Sequence, residues 1–254
     1  MKLALMVSDT APAQEAAGPL QAACSWVEPE QADAVIALGG DGFMLQVLHT
    51  MMSEGRVRPV FGMNLGTVGF LMNSFAPDAL EQRVACARRV DIHPLSMRAE
   101  TVSGDVVISP AINEVSLLRE TRQTAKIEIS VDGRVRMPEL VCDGVIVATP
   151  AGSTAYNLSA HGPILPLDSK LMALTPISPF RPRRWRGALL SDNAVVELRM
   201  LEPGKRPVSA VADQREVREV SRVQVRADAS IRLSLLFDPD HALDDRIAME
   251  QFLS

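Results

Sequence analysis

Cysteine is scarce: Cys24, Cys86 and Cys142 are three in number, widely spaced, and form no CxxC pair. That pattern argues against a disulfide framework and a cysteine-held zinc site, and it fits a reducing compartment, so a cytoplasmic location is expected. The four histidines, His49, His93, His161 and His241, show no metal-ligand spacing and read as core or surface residues. No carboxylate cluster stands out either, so no metal ligand is assigned. Long apolar runs are missing: none reaches the roughly 18 residues of a membrane helix. The start, "MKLALMVSD", lacks a cleavage region and reads as a first strand rather than a signal peptide. There is no excess of positive charge. The net charge of −5 argues against a broad nucleic-acid surface. A Walker A motif, a GxGxxG turn, low-complexity segments and internal repeats are all absent.

What remains is an ordinary globular composition, 47% hydrophobic and 22% charged over 254 residues, enough for one large domain or two modest ones. The first ninety residues alternate strand and helix signals. "KLALMVS", "ADAVIAL" and "RPVFGMN" are short buried strands; "QEAAGPLQAAC", "FMLQVLHTMM" and "APDALEQRVACARR" read as helices, the last with Asp78 and Glu81 early and arginines late, as the helix dipole favours. This predicts a Rossmann-like α/β domain over 1–90 with a parallel sheet and crossover helices. From about Val90 the pattern becomes strand-like, punctuated by Gly, Pro and Asp, and "SVDGRV" is a hairpin signal. A β-rich domain is expected over 91–237, "IRLSLLF" included. The closing "ALDDRIAMEQFL" predicts a helix, 238–254, packing back on the first domain.

Four stretches carry chemistry. In "ALGGDGFMLQVLH", Gly39, Gly40 and Gly42 flank one carboxylate, Asp41, where a strand ends and a helix begins. Ligands of open α/β sheets bind there. Glycines can approach a phosphate closely and adopt positive φ, with helix-start N–H groups facing it. The plain alternative is a tight turn with Asp41 as helix N-cap. "GMNLGTVGFLMN" repeats the theme one strand later, and Phe70 there is placed to stack on a base or to join the core. "AINEVSLLR" sets Asn113 and Glu114 among apolar neighbours. Burying them unpaired costs several kcal/mol, which sugar hydroxyls would offset; the alternative is a solvated edge strand. "CDGVIVATPAGSTAYNLSAHGP" is dense in small, hydroxylated and amide residues after a strand, suited to a polar ligand. "RPRRWRG" is a basic cluster that reads as a solvated loop or subunit contact rather than a phosphate site.

Taken in order, "GGDG", the turn ending "GFL", "NEV" and "DGVIVATPAGSTAYNLSAHGP" resemble the NAD kinase family. The resemblance implies a kinase that transfers the γ-phosphoryl of ATP, with Mg²⁺, to the adenosine 2′-hydroxyl of NAD, giving NADP. It implies a homodimer or homotetramer whose partners are NAD and ATP, with no nucleic acid and no membrane. By the same resemblance Asp41 is the base facing the 2′-hydroxyl, while Gly39, Gly40 and Gly42 hold the donor phosphates. NAD lies across the crevice between the domains, against Gly42, Phe70, Asn113, Glu114, Asp143, Ala151, Thr154, Ala155, Tyr156, Asn157, Ser159, Ser178 and Gln214. Asn113 and Glu114 take the ribose hydroxyls, and Asp143 and Ser178 belong to the nicotinamide end. The chain departs from the family pattern at Phe43, Val141 and Ala212, where threonine, a basic residue and glycine are common. The alternatives are a related lipid kinase, of the diacylglycerol type, and a non-catalytic dinucleotide sensor on the same fold.

Overall fold

The computed structural model describes residues 1–66 and 69–239. Its contacts divide the chain into two units, Met1–Ile92 with the chain from Ile231 onward, and His93–Ser230.

The first unit alternates β1 (Leu3–Val7), α1 (Ala11–Ala23), β2 (Ala34–Gly39), α2 (Asp41–Ser53) and β3 (Val60–Asn64), followed by the short β4 (Asn73–Ser74), α3 (Leu80–Ala85) and β5 (Arg88–Ile92). β2 is buried along its whole length, as expected of a parallel strand covered on both faces. On one face Ala13, Ala17 and Leu20 of α1 pack against Leu3, Ile36 and Phe61. On the other, α2 turns in Met44, Val47, Leu48 and Met51, the spacing of one helical face, and Met44 reaches Gly62. Each fully buried Leu or Phe contributes roughly 2 kcal/mol by its removal from water.

Two expectations fail here. The helix read over "APDALEQRVACARR" stops at Ala85, because Arg88 and Arg89 are drawn into β5. The strand-like "IRLSLLF" does not join the β-rich block. It forms a returning strand (Leu233–Phe237) that lies parallel to β3 and antiparallel to β5, completing the first sheet between them. Buried Asn73 fixes that return. Its Nδ2 donates to the Gly62 and Leu236 carbonyls at 3.0 and 2.9 Å, and its Oδ1 accepts from Asp238 N at 2.9 Å. Arg83 then pairs with Asp238 through Nε at 3.0 Å and Nη2 at 2.6 Å. The helix expected over 238–254 falls, from residue 240 onward, outside the described residues.

The second unit holds β6 (Leu95–Thr101), β7 (Val106–Ala111), β8 (Glu114–Arg119), β9 (Ala125–Val131), β10 (Arg134–Cys142), β11 (Gly144–Ala148), α4 (Tyr156–Ser159), β12 (Leu171–Ile177), β13 (Ala188–Ser191), β14 (Val196–Met200), β15 (Val208–Ala212), β16 (Arg215–Val217) and β17 (Val220–Ala227). The strands form two six-stranded antiparallel sheets, ordered β10-β9-β14-β17-β6-β7 and β13-β12-β11-β8-β15-β16. One hydrophobic cluster joins them. Met97, Ile129, Leu198 and Val223 of the first meet Val115, Leu117, Val145 and Val147 of the second, each set at alternate positions. The "SVDGRV" hairpin forms as read, with Asp132 at φ 52° and Gly133 at φ 71°, the left-handed pair a two-residue turn requires. Among the described residues no helix is long and apolar enough to cross a membrane.

Candidate functional site

In the first unit, β2 and β3 run side by side to a common end, with Gly39 opposite Asn64. Asp41 is the first residue of α2, and Gly40 is its N-cap, so Asp41 does not cap its own helix. Its carboxylate reaches across to the second glycine turn. Oδ2 accepts from Phe70 N at 2.8 Å and Oδ1 from Leu71 N at 3.1 Å. The two glycine turns are thus joined by the aspartate. Gly69 is what permits the approach, since a Cβ there would lie 2.4 Å from Asp41 Oδ1. Gly40 offers no side chain to cap the first N–H groups of α2, and the space beside Gly42 is open. None of Gly39, Gly40 and Gly42 adopts the positive φ expected of them; closeness, not handedness, selects glycine here. Gly39 lies under Phe43, whose ring would meet a Cβ at 2.9 Å. Phe70 is half-buried. A cavity of about 290 Å³ opens at the end of β3, lined by Asn64, Gly66, Gly69, Asn73, Ser74 and Phe75.

In the second unit, Asn113 and Glu114 sit at the start of β8, an interior strand between β11 and β15, which excludes the solvated edge. Their backbone is gripped from two sides. From the end of β11, Thr149 N donates to the Asn113 carbonyl at 2.9 Å and Thr149 Oγ1 to the Ile112 carbonyl at 2.7 Å. From the β15–β16 turn, Asp213 Oδ2 accepts from Ile112 N at 2.6 Å, and Oδ1 from Asn113 N and Glu114 N at 3.0 and 3.2 Å. Their side chains are less well provided. Asn113 Oδ1 and Glu114 Oε2 are buried without a hydrogen-bond partner among the described residues. Burial first, and then the Asp213 charge, push the Glu114 carboxyl up to about 7.

The loop after β11 forms a short 3₁₀ turn, Ala151–Thr154, and then α4. Ala151 is buried, while Thr154, Ala155 and Tyr156 are half-buried. Burial, with the charges of Glu114 and Asp143 nearby, raises the Tyr156 hydroxyl above its ordinary value. Tyr156, Ser159 and Ser178 come together around a cavity of about 240 Å³ that His161, Trp185 and Arg186 also line. Asn157 is not presented to it. Fully buried, it donates to the Ser153 and Pro163 carbonyls at 3.1 and 2.9 Å and accepts from Thr175 Oγ1 at 2.7 Å, locking the loop. Asp143 is ion-paired with Arg119, whose Nε lies 2.5 Å from its Oδ1. Gln214 is exposed in the turn beside Asp213. The basic cluster is exposed, with Arg181 and Arg183 over the Phe180 ring at 5.6 and 5.0 Å.

Sequence reasoning passed over Asp213, Thr149 and Arg119. Each acts through backbone or through another side chain; Thr149 lies in the quoted "DGVIVATPAGSTAYN" run, and Asp213 and Arg119 lie in no motif of their own. The one available signal was "VADQ", a two-residue hairpin turn in which aspartate readily takes a left-handed φ, here 49°.

A family model described as the ATP-NAD kinase N-terminal domain matches residues 11–86, and one for the ATP-NAD kinase C-terminal domain matches residues 112–243. An NAD kinase of Rhizorhabdus wittichii is 65% identical over 99% of the chain and 98% of its own length. One of Zymomonas mobilis is 61% identical over 99% and 97%. Two solved structures share the fold at 24% identity and a TM-score of 0.76. The Archaeoglobus fulgidus NAD kinase in complex with ATP is covered over 98% of both chains, and yeast NADH kinase complexed with NADH over 89% of this chain and 69% of its own.

Proposed function

The chain belongs to the NAD kinase family, and on that premise we propose that Asp41 is its general base and that Asn113 and Glu114 receive the ribose hydroxyls of NAD. The reaction is transfer of a phosphoryl group from ATP to NAD. The 2′-oxygen attacks the γ-phosphorus, the bond to the β-phosphate oxygen breaks, ADP leaves, and the hydroxyl proton passes to the Asp41 carboxylate. Two backbone N–H groups hold that carboxylate in one direction, which suits a group acting by position. The uncapped start of α2 and the open space at Gly42 suit donor phosphates.

One observation carries the recognition of NAD: the two buried acceptors, Asn113 Oδ1 and Glu114 Oε2, that lack partners. Adjacent hydroxyls would answer both, and the cost of leaving them bare would become binding energy. Asp41 belongs to the unit Met1–Ile92 with the returning strand, and Asn113 and Glu114 belong to His93–Ser230. Mg²⁺ would bind on the phosphates of ATP and offset their charge. The exposed Val106 and Ile108 on edge strand β7 support self-association, and three free cysteines support a cytoplasmic home.

The test is Asp41→Asn, assayed for NADP formation from NAD with ATP and Mg²⁺. NAD binding should persist while kcat falls about 10²–10⁴-fold, the range for loss of a general base. Wild-type turnover in a folded, NAD-binding variant would remove Asp41 from the mechanism.

A further inference from the structure

Asp213 stands outside the roles given so far, yet three consecutive amides converge on it. Its carboxylate accepts from Ile112, Asn113 and Glu114 N–H at 2.6, 3.0 and 3.2 Å, and its own N–H donates to the Glu114 carbonyl at 3.1 Å. Four hydrogen bonds therefore tie the β15–β16 turn to the segment carrying the two unanswered acceptors, about a hundred residues away in sequence. Amide bonds to a carboxylate are charge-assisted and directional. They fix the backbone from which the Asn113 and Glu114 side chains project. The left-handed φ of 49° at Asp213 is what turns its side chain back to meet all three donors.

The same carboxylate is a fixed negative charge beside a second, buried one. Glu114 faces Asp213 from the turn and Tyr156 from α4, and Tyr156 in turn faces Asp143 at the start of β11. No cation is among the causes acting on Glu114, while Arg119 is committed to Asp143.

We propose that Asp213 is a positioning residue for the Asn113–Glu114 pair and that its charge, fixed beside the buried Glu114 carboxyl, adds to the pH dependence of NAD binding. This rests on the reading that the pair accepts the ribose hydroxyls. Ionised, Glu114 accepts from two hydroxyls on its two oxygens through charge-assisted bonds; protonated, one oxygen becomes a donor and the remaining bonds are weaker. Burial and the Asp213 charge hold its carboxyl at about 7 in the NAD-free protein. As pH falls through that range Glu114 becomes protonated, and the affinity for NAD falls with it.

The experiment is the pH profile of kcat/KM for NAD, with kcat and KM resolved, in wild type, Asp213→Asn and Glu114→Gln. Asparagine tolerates the left-handed turn and keeps one acceptor oxygen, so it removes the charge and also the acceptor at one of the two oxygens. With it, KM for NAD should rise about tenfold at the alkaline plateau, with kcat within about twofold, the pattern of lost ground-state binding. The acid limb should move to lower pH. Should Asp213→Asn not fold, Asp213→Ser and Asp213→Glu take its place, the first shifting the limb and the second, which keeps the charge, leaving it. A carboxylate NMR titration of folded wild-type protein, with Glu114 identified by its loss in Glu114→Gln, checks the charge effect independently; a midpoint at the ordinary glutamate value overturns it. An Asp213→Asn enzyme with wild-type KM and an unmoved limb overturns the proposal. Glu114→Gln separates this from the parent reading. It should raise KM and abolish the limb, and if it binds NAD as wild type does, the ribose assignment itself fails.

Discussion

At the scale of single residues, the site depends on atoms that glycines leave room for. Asp41 can bond to Phe70 N and Leu71 N only because Gly69 has no Cβ. Gly69→Ala puts a methyl 2.4 Å from Asp41 Oδ1 and must turn the carboxylate away. The expected result is a folded enzyme with kcat reduced about 100-fold, since a displacement of about 1 Å at a reacting group costs that much. KM for NAD should change little, and steady-state kinetics beside a thermal melt would separate the two. Asn157 teaches the reverse. Its place in a ligand-like run suggests a contact with the dinucleotide, yet both its amide protons and its oxygen are spent on Ser153, Pro163 and Thr175. It shapes the loop that presents Tyr156 and Ser159.

At the scale of elements, strand ends carry the chemistry and their neighbours hold them in register. Gly152, in the turn after β11, packs on the bend between β7 and β8, where a Cβ would meet the Asn113 carbonyl at 2.1 Å. That atom is main chain and cannot swing aside. Gly152→Ala should lower stability by roughly 1–3 kcal/mol, as overpacking does, and also raise KM for NAD; urea unfolding and kinetics would show both. What was legible in the sequence follows the same division. Buried runs, helical spacing and the glycine turns are local, and they announced β1, β2, β3, α2 and the turn at the end of β2 that holds Asp41. Partners are not local. "IRLSLLF" states its own pattern but not that it slots between β3 and β5, and that pairing is also what ends α3 early. Asp213 was hidden for the same reason: its partners are amides, which every residue has, and they lie on another strand.

At the scale of the whole molecule, a buried carboxyl held at about 7 makes stability depend on pH in an unusual direction for an acid. The ordinary glutamate value, 4.5, applies to Glu114 when the chain is unfolded. Below 4.5 both states carry the proton and the contribution is complete. Between 4.5 and about 7 the unfolded chain has released its proton and the NAD-free fold has not, so stability declines as pH rises and the contribution is gone above that range. The loss can reach about 3 kcal/mol. Urea unfolding of wild type and Glu114→Gln at pH 5 and pH 8 should show the wild type losing more across that interval; equal losses would contradict it. The path of the backbone has a consequence for how the protein is made. A ribosome delivers β3 and β5 long before the strand that belongs between them, and all of His93–Ser230 emerges in the meantime. Throughout that interval the nascent first unit carries an empty slot with two unpaired borders. The first-made unit therefore cannot complete its sheet until the whole of His93–Ser230 has been synthesised.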